Sequence, residues 1–139
     1  MAQFSPYLNF PGNCREAVEF YREKLDAEPT NFMKYSESPA PHEPADADKI
    51  MHVMFKIGES NFMAADAPSA YPPKFGNNIW FSLGFENKET VEKYFNNLAE
   101  EGTVAMPLQN VFWGSYFGMV TDKFGVPWML SCELPKESN

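Results

Sequence analysis

Two stretches decide how this chain reads: Glu16-Ala17-Val18-Glu19-Phe20-Tyr21-Arg22-Glu23-Lys24-Leu25-Asp26-Ala27-Glu28, and, 73 positions later, Glu89-Thr90-Val91-Glu92-Lys93-Tyr94-Phe95-Asn96-Asn97-Leu98-Ala99-Glu100-Glu101. Six of the thirteen places carry the same residue: Glu16/Glu89, Val18/Val91, Glu19/Glu92, Tyr21/Tyr94, Leu25/Leu98 and Glu28/Glu101. In the first stretch Cys14, Ala17, Val18, Tyr21 and Leu25 return to one side, while Arg15, Glu19, Arg22 and Glu23 take the other. That is the 3.6-residue period of an amphipathic helix. Val91, Tyr94, Phe95 and Leu98 repeat it, with Gly102 as the stop. Asn13, three before Glu16, comes close to a capping box and predicts the first helix's start.

Outward from the helices, a strand is predicted before each, over Phe4 to Phe10 and Asn78 to Phe85, the first broken by Pro11-Gly12. After the first helix come a strand over Glu28 to Tyr35 and a surface loop, Ser36 to Asp48, holding three prolines and His42. Met51, Val53, Phe55 and Ile57 then alternate with partners that include His52 and Lys56, and Gly58-Glu59-Ser60 turns the chain into Asn61 to Ala65, which predicts a hairpin. The second half continues with a short strand near Thr103 to Met106, an aromatic loop, and a hairpin of Phe117 to Thr121 with Val126 to Glu133 around Asp122-Lys123-Phe124-Gly125. Each half reads β-α-β-β-β. The expectation is one domain over residues 1–139, with modules at about 4–66 and 78–133 joined by a Pro-rich linker at about 67–77.

Composition narrows the function classes. Nineteen acidic against eleven basic residues give a net charge of -8, a field that repels phosphate backbones and anionic headgroups, so neither nucleic acid nor a membrane is an expected partner. The 13 Phe and 8 Met suffice to fill a core and line an apolar pocket. Cys14 and Cys132 have no metal-binding or redox spacing, and no apolar run spans a bilayer or follows a basic N-terminal region, so a cytoplasmic location is expected.

The segment Ser5-Pro6-Tyr7-Leu8-Asn9-Phe10 with Gly12-Asn13-Cys14, the Phe20-Tyr21 and Phe112-Trp113 pairs, and the run Val120-Thr121-Asp122-Lys123-Phe124-Gly125-Val126-Pro127-Trp128-Met129 resemble the PhnB-like family. That family is a branch of the vicinal oxygen chelate superfamily of glyoxalases, bleomycin-resistance proteins and extradiol dioxygenases. The resemblance implies an α+β fold: two βαβββ modules forming a curved eight-stranded mixed sheet, helices on its convex face, a cavity on its concave face, and a homodimer. Some members carry a ubiquinone methyltransferase title. This chain has no Gly-x-Gly-x-Gly after a strand and is too short for a doubly wound cofactor domain, so methyl transfer is not expected.

Metal-dependent members of the superfamily hold a divalent ion with His, Glu or Gln from the first and last strands of each half. Those positions fall here on Ser5, Met63, Asn78 and Met129, none of them a His or a carboxylate, so no cofactor is expected, with a non-standard divalent site left open. The 73-residue shift pairs Ser5 with Asn78, Tyr7 with Trp80 and Asn9 with Ser82, and leaves Leu8, Phe10, Phe81 and Leu83 to face the helices.

The expected ligand-lining residues are Tyr7, Asn9, His52, Met63, Trp80, Ser82, Trp113 and Met129. His52 is the candidate base, set against a purely structural imidazole; His42 is expected in solvent. Asp66 could bind substrate or start a turn, and Asp122 is expected to fix the last hairpin. Phe112, Trp113, Tyr116 and Phe117 could cover a cavity, stack on a planar ligand or enter a subunit contact, and Glu133 could reach the cavity or remain solvated. The leading expectation is a metal-independent protein holding a small, largely apolar or aromatic molecule between its halves. The alternatives are a glyoxalase-type lyase, isomerase or dioxygenase, and sequestration of a cationic antibiotic.

Overall fold

The computed structural model describes residues 2–135. The chain divides into two compact units, residues 1–74 and 75–139, each with its own helix and sheet. In the first unit β1 (Tyr7–Phe10) leads into α1 (Cys14–Leu25), followed by β2 (Glu28–Pro29), β3 (Met33–Lys34), β4 (Ile50–Ile57) and β5 (Ser60–Asp66). The sheet order is β1-β5-β4-β2, with β3 also on β4; β1 and β5 are parallel, whereas β2, β3 and β5 meet β4 antiparallel. In the second unit β6 (Phe81–Phe85), α2 (Lys88–Ala99), β7 (Thr103–Val111), β8 (Ser115–Thr121) and β9 (Pro127–Glu133) form a sheet ordered β6-β9-β8-β7, with β6 and β9 parallel.

The described residues thus hold nine strands where eight were expected, because the strand predicted over Glu28 to Tyr35 is split. Pro29 lacks a ladder donor. Thr30 bonds the Met54 carbonyl through its N–H (2.8 Å) and hydroxyl (3.1 Å), and the register on β4 then shifts between Met33 and Lys34. Two other expectations change. The strand predicted from Asn78 begins at Phe81, and β7 runs on to Val111, past Pro107, with register shifts on either side of Met106. Bulges let an edge strand absorb a proline and hide its period from the sequence.

Period-two alternation sorts each sheet. On one face of the first, Leu8, Phe10, Val53, Phe55, Phe62 and Ala64 are buried, with Ala17, Val18 and Tyr21 of α1; Tyr21 stacks on Phe55 at 5.9 Å and Phe55 on Phe62 at 5.1 Å. Each such ring contributes roughly 2–3 kcal/mol by leaving water. In the second, Leu83, Val120, Trp128 and Leu130 are buried with Val91, Phe95 and Leu98. Packing is tight enough that a Cβ on Gly118 would stand 2.8 Å from Phe95 and 2.9 Å from Leu108.

The Pro-rich 36–48 segment is built rather than loose. It holds 3-10 turns at Tyr35–Glu37 and Pro44–Asp46, and buries the Asp46 carboxylate against Lys49 Nζ (2.9 Å), with Oδ2 accepting from Ser69 N–H and Oγ at 3.1 Å. The hydrogen bond from Lys49, then the Ser69 bonds and last the Lys49 charge, hold Asp46 below the usual carboxylate range.

Candidate functional site

In each unit one sheet face lies opposite the helix, and the registers show what it carries. In the first, Tyr7 pairs with Met63 and Met63 with Met54, so three strands place a phenol and two thioethers in one row. His52 is two residues along β4 from Met54 and pairs with Met33, and its ring centroid lies 6.0 Å from that of Tyr7. Tyr7, Met33 and Met54 are exposed; His52 and Met63 are half-buried. Asn9, two along β1, shares the face. Partial burial, then the nearby Cys14 thiol, pushes the Tyr7 hydroxyl above its ordinary pKa, so it is a proton donor at neutral pH.

The second unit repeats the device. Met106 pairs with Met119, Met119 with Met129 and Met129 with Ser82, a row of three half-buried thioethers ending on a hydroxyl. One step along lie Ser131 and Phe117, directly paired. Thioethers are flexible and polarizable, so a sheet face built from them adapts its shape to an apolar or aromatic guest.

Of the residues named from sequence, Tyr7, Asn9, His52 and Met63 share the first face, and Ser82 and Met129 share the second. Trp80 precedes β6, with its indole N–H donating to the Asn77 carbonyl at 2.7 Å. Trp113 sits in the turn between β7 and β8, so the expected aromatic loop is a tight hairpin end. Its aromatics separate: Trp113 meets Phe112 at 5.0 Å and Phe117 at 5.8 Å, whereas Tyr116 points to the helix side, where its hydroxyl donates to Glu92 (2.9 Å). Ser5 lies ahead of β1 and Asn78 ahead of β6. His42 is exposed, Nδ1 3.2 Å from the Ala40 carbonyl oxygen. Among the described residues no three His, Cys, Asp or Glu side chains gather as a metal-binding group.

Sequence reasoning missed Met33, Met54, Met106 and Met119. Met54 carried a signal, since it alternates with Val53 and Phe55. The two β7–β8 methionines become neighbours only through the register that the bulges set.

The two carboxylates prove structural. Asp66 is 2% exposed; its Oδ1 accepts from Cys14 N–H at 2.8 Å and its Oδ2 from Ile50 N–H at 2.9 Å, while its carbonyl accepts from the Tyr35 hydroxyl at 2.8 Å. Both of its oxygens bond backbone. The capping box expected at Asn13 is absent: that side chain makes no cap bond, and its buried Oδ1 has no hydrogen-bond partner among the described residues. Asp122 fixes the β8–β9 hairpin as expected, accepting from Phe124 N–H (2.8 Å), Val126 N–H (3.1 Å) and Trp128 Nε1 (2.9 Å).

Known proteins place this arrangement. A family model described as 3-demethylubiquinone-9 3-methyltransferase matches residues 2–131. Protein YjdN of Escherichia coli K12 is 33% identical, over 91% of this chain and 92% of its own length. Among solved structures, protein PA1353 of Pseudomonas aeruginosa has a TM-score of 0.88 at 41% identity, covering 97% of this chain and 100% of that one. The PhnB protein from Bacillus cereus has a TM-score of 0.79 at 26% identity, covering 94% and 99%. Among the described residues no helix is long and apolar enough to cross a membrane.

Proposed function

This chain belongs to the PhnB-like, 3-demethylubiquinone-9 3-methyltransferase family with the vicinal oxygen chelate fold, and on that premise we propose that it binds a small, largely apolar or aromatic molecule on its methionine-lined sheet faces without a divalent metal. The observation that carries this reading is the pair of thioether rows, Met54–Met63 beside Tyr7 and Met106–Met119–Met129 beside Ser82. Few polar groups interrupt them, and Tyr7, His52 and Ser82 supply the directional contacts such sites use. The methyl transfer in the family's description is not carried over: Pro11-Gly12-Asn13, between β1 and α1, offers one glycine where a nucleotide-type cofactor loop needs several.

Titration with the neutral fluorophore 1-N-phenylnaphthylamine tests the proposal. Saturable binding is expected to survive EDTA dialysis, and Met119→Gln or Met129→Gln to weaken it about tenfold, the effect of losing roughly 1.4 kcal/mol of apolar contact. Binding untouched by either change, or lost with the metal, overturns it. A second reading, a glyoxalase-type lyase, isomerase or dioxygenase, draws on the adjacency of His52 and Tyr7; one equivalent of co-purified metal, or turnover abolished by His52→Ala, would favour it. A homodimeric assembly and a cytoplasmic location belong to the same proposal, and sedimentation of the purified protein checks the first.

A further inference from the structure

At the hairpin end of the second sheet lies an open cleft of about 730 Å³, lined by Trp113, Gly114, Ser115, Ser131, Glu133 and Leu134. Backbone geometry builds it. Gly114 turns the chain at φ 85°, Ser115 pairs with Glu133 across β8 and β9, and Leu134 N–H donates to the Gly114 carbonyl at 2.9 Å, which ties the turn to the end of β9. Trp113 is 59% exposed yet held, near-perpendicular to Phe112 (87°) and Phe117 (67°). Glu133 is exposed, and no hydrogen bond or ion pair to its carboxylate occurs among the described residues. Ser115 donates its hydroxyl proton to the Cys132 carbonyl at 3.1 Å, which leaves the hydroxyl's lone pairs as acceptors.

An indole, a carboxylate and hydroxyl acceptors select by charge. An anion meets Glu133 and a chain of net charge -8. A metal ion finds one carboxylate where a hard cation wants six or more oxygens. A neutral guest would desolvate Glu133 with nothing in return. An organic ammonium ion with an apolar body satisfies all of them, its charge against Glu133 and its polarised methyl or methylene groups over the Trp113 face. We propose that this cleft, which continues the sheet face of the Met119–Met129 row beyond Phe117 and Ser131, is a binding site for small organic ammonium ions.

The test follows the Trp113 indole N–H in a two-dimensional NMR titration, the resonance being assigned by its loss in Trp113→Leu. Choline is compared with 3,3-dimethylbutanol, which has the same shape and no charge. Saturable shifts with choline alone, weakened by added salt and on the order of tenfold by Glu133→Gln, are expected. Both residues are exposed, so folding should be unaffected. Equal shifts from the two probes, indifference to Glu133→Gln, or an indole that moves with protein concentration and with neither probe, as a second copy covering the cleft would cause, overturns it.

Discussion

The two units follow one plan and secure their helices by opposite means. The parallel ladder of the first ends on Phe10 paired with Asp66, that of the second on Phe85 paired with Cys132. Asp66 reaches across and holds the first N–H of α1 together with the start of β4, a bond made between residues 52 apart in sequence. Cys132, a thiol, cannot accept two such bonds, and α2 is capped from its own first turn: Asn87 Oδ1 accepts from Thr90 N–H (2.9 Å) and Thr90 Oγ1 (2.8 Å). The 73-residue shift sets Cys14 against Asn87, so the thiol lies at the helix start in one unit and on the last strand in the other. A helix start can be held by long-range or by local bonding, and only the long-range form ties the helix to the sheet.

The sharpest way to break this comparison is Asp66→Ala. It strands two buried backbone N–H groups and is expected to cost about 3 kcal/mol or more, read as a lower denaturant midpoint. Asn13→Ala is the control. If α1 were capped locally it would cost about 1 kcal/mol, whereas the unbonded amide predicts a change within about 0.5 kcal/mol. Should the two variants exchange these values, the long-range cap is wrong. In the second unit Asn87→Ala should cost about 1 kcal/mol, between the two, because a local cap leaves the sheet untouched.

The same contrast explains what could be read in advance. Helix periods are local, and α1 spans the Cys14 to Leu25 stretch predicted for it. The helix-facing sides of β1 and β6 followed from alternation, and Asp122 from turn chemistry. Asn13 misled because a capping box is a local pattern and the acceptor that won lies on another strand. Pairing across strands also decided what the site comprises: Met63 and Met129 were found by family position, while Met106 and Met119 depend on bulges that no period encodes. Trp80 was placed in a strand that starts one residue later.

The smallest effect concerns the thiol on the long-range side. Burial first, then the Asp66 carboxylate, push the Cys14 thiol up to about 12 from an ordinary 9.0, the neighbouring Arg15 only partly offsetting them. A pKa raised on folding means that the folded state keeps a proton which the unfolded chain releases. The associated stability is therefore complete below pH 9.0 and is lost as pH rises toward about 12. Near pH 9 the loss should be a few tenths of a kcal/mol, growing with further alkali, and Cys14→Ala should remove that part of the alkaline decline while leaving the neutral-pH profile parallel. Iodoacetamide should label Cys14 only as fast as the protein opens, since a neutral buried thiol is a poor nucleophile. Rapid labelling of the native protein at pH 8 would mean that the helix start is not sealed against the Asp66 carboxylate, and would remove the main difference between the two units.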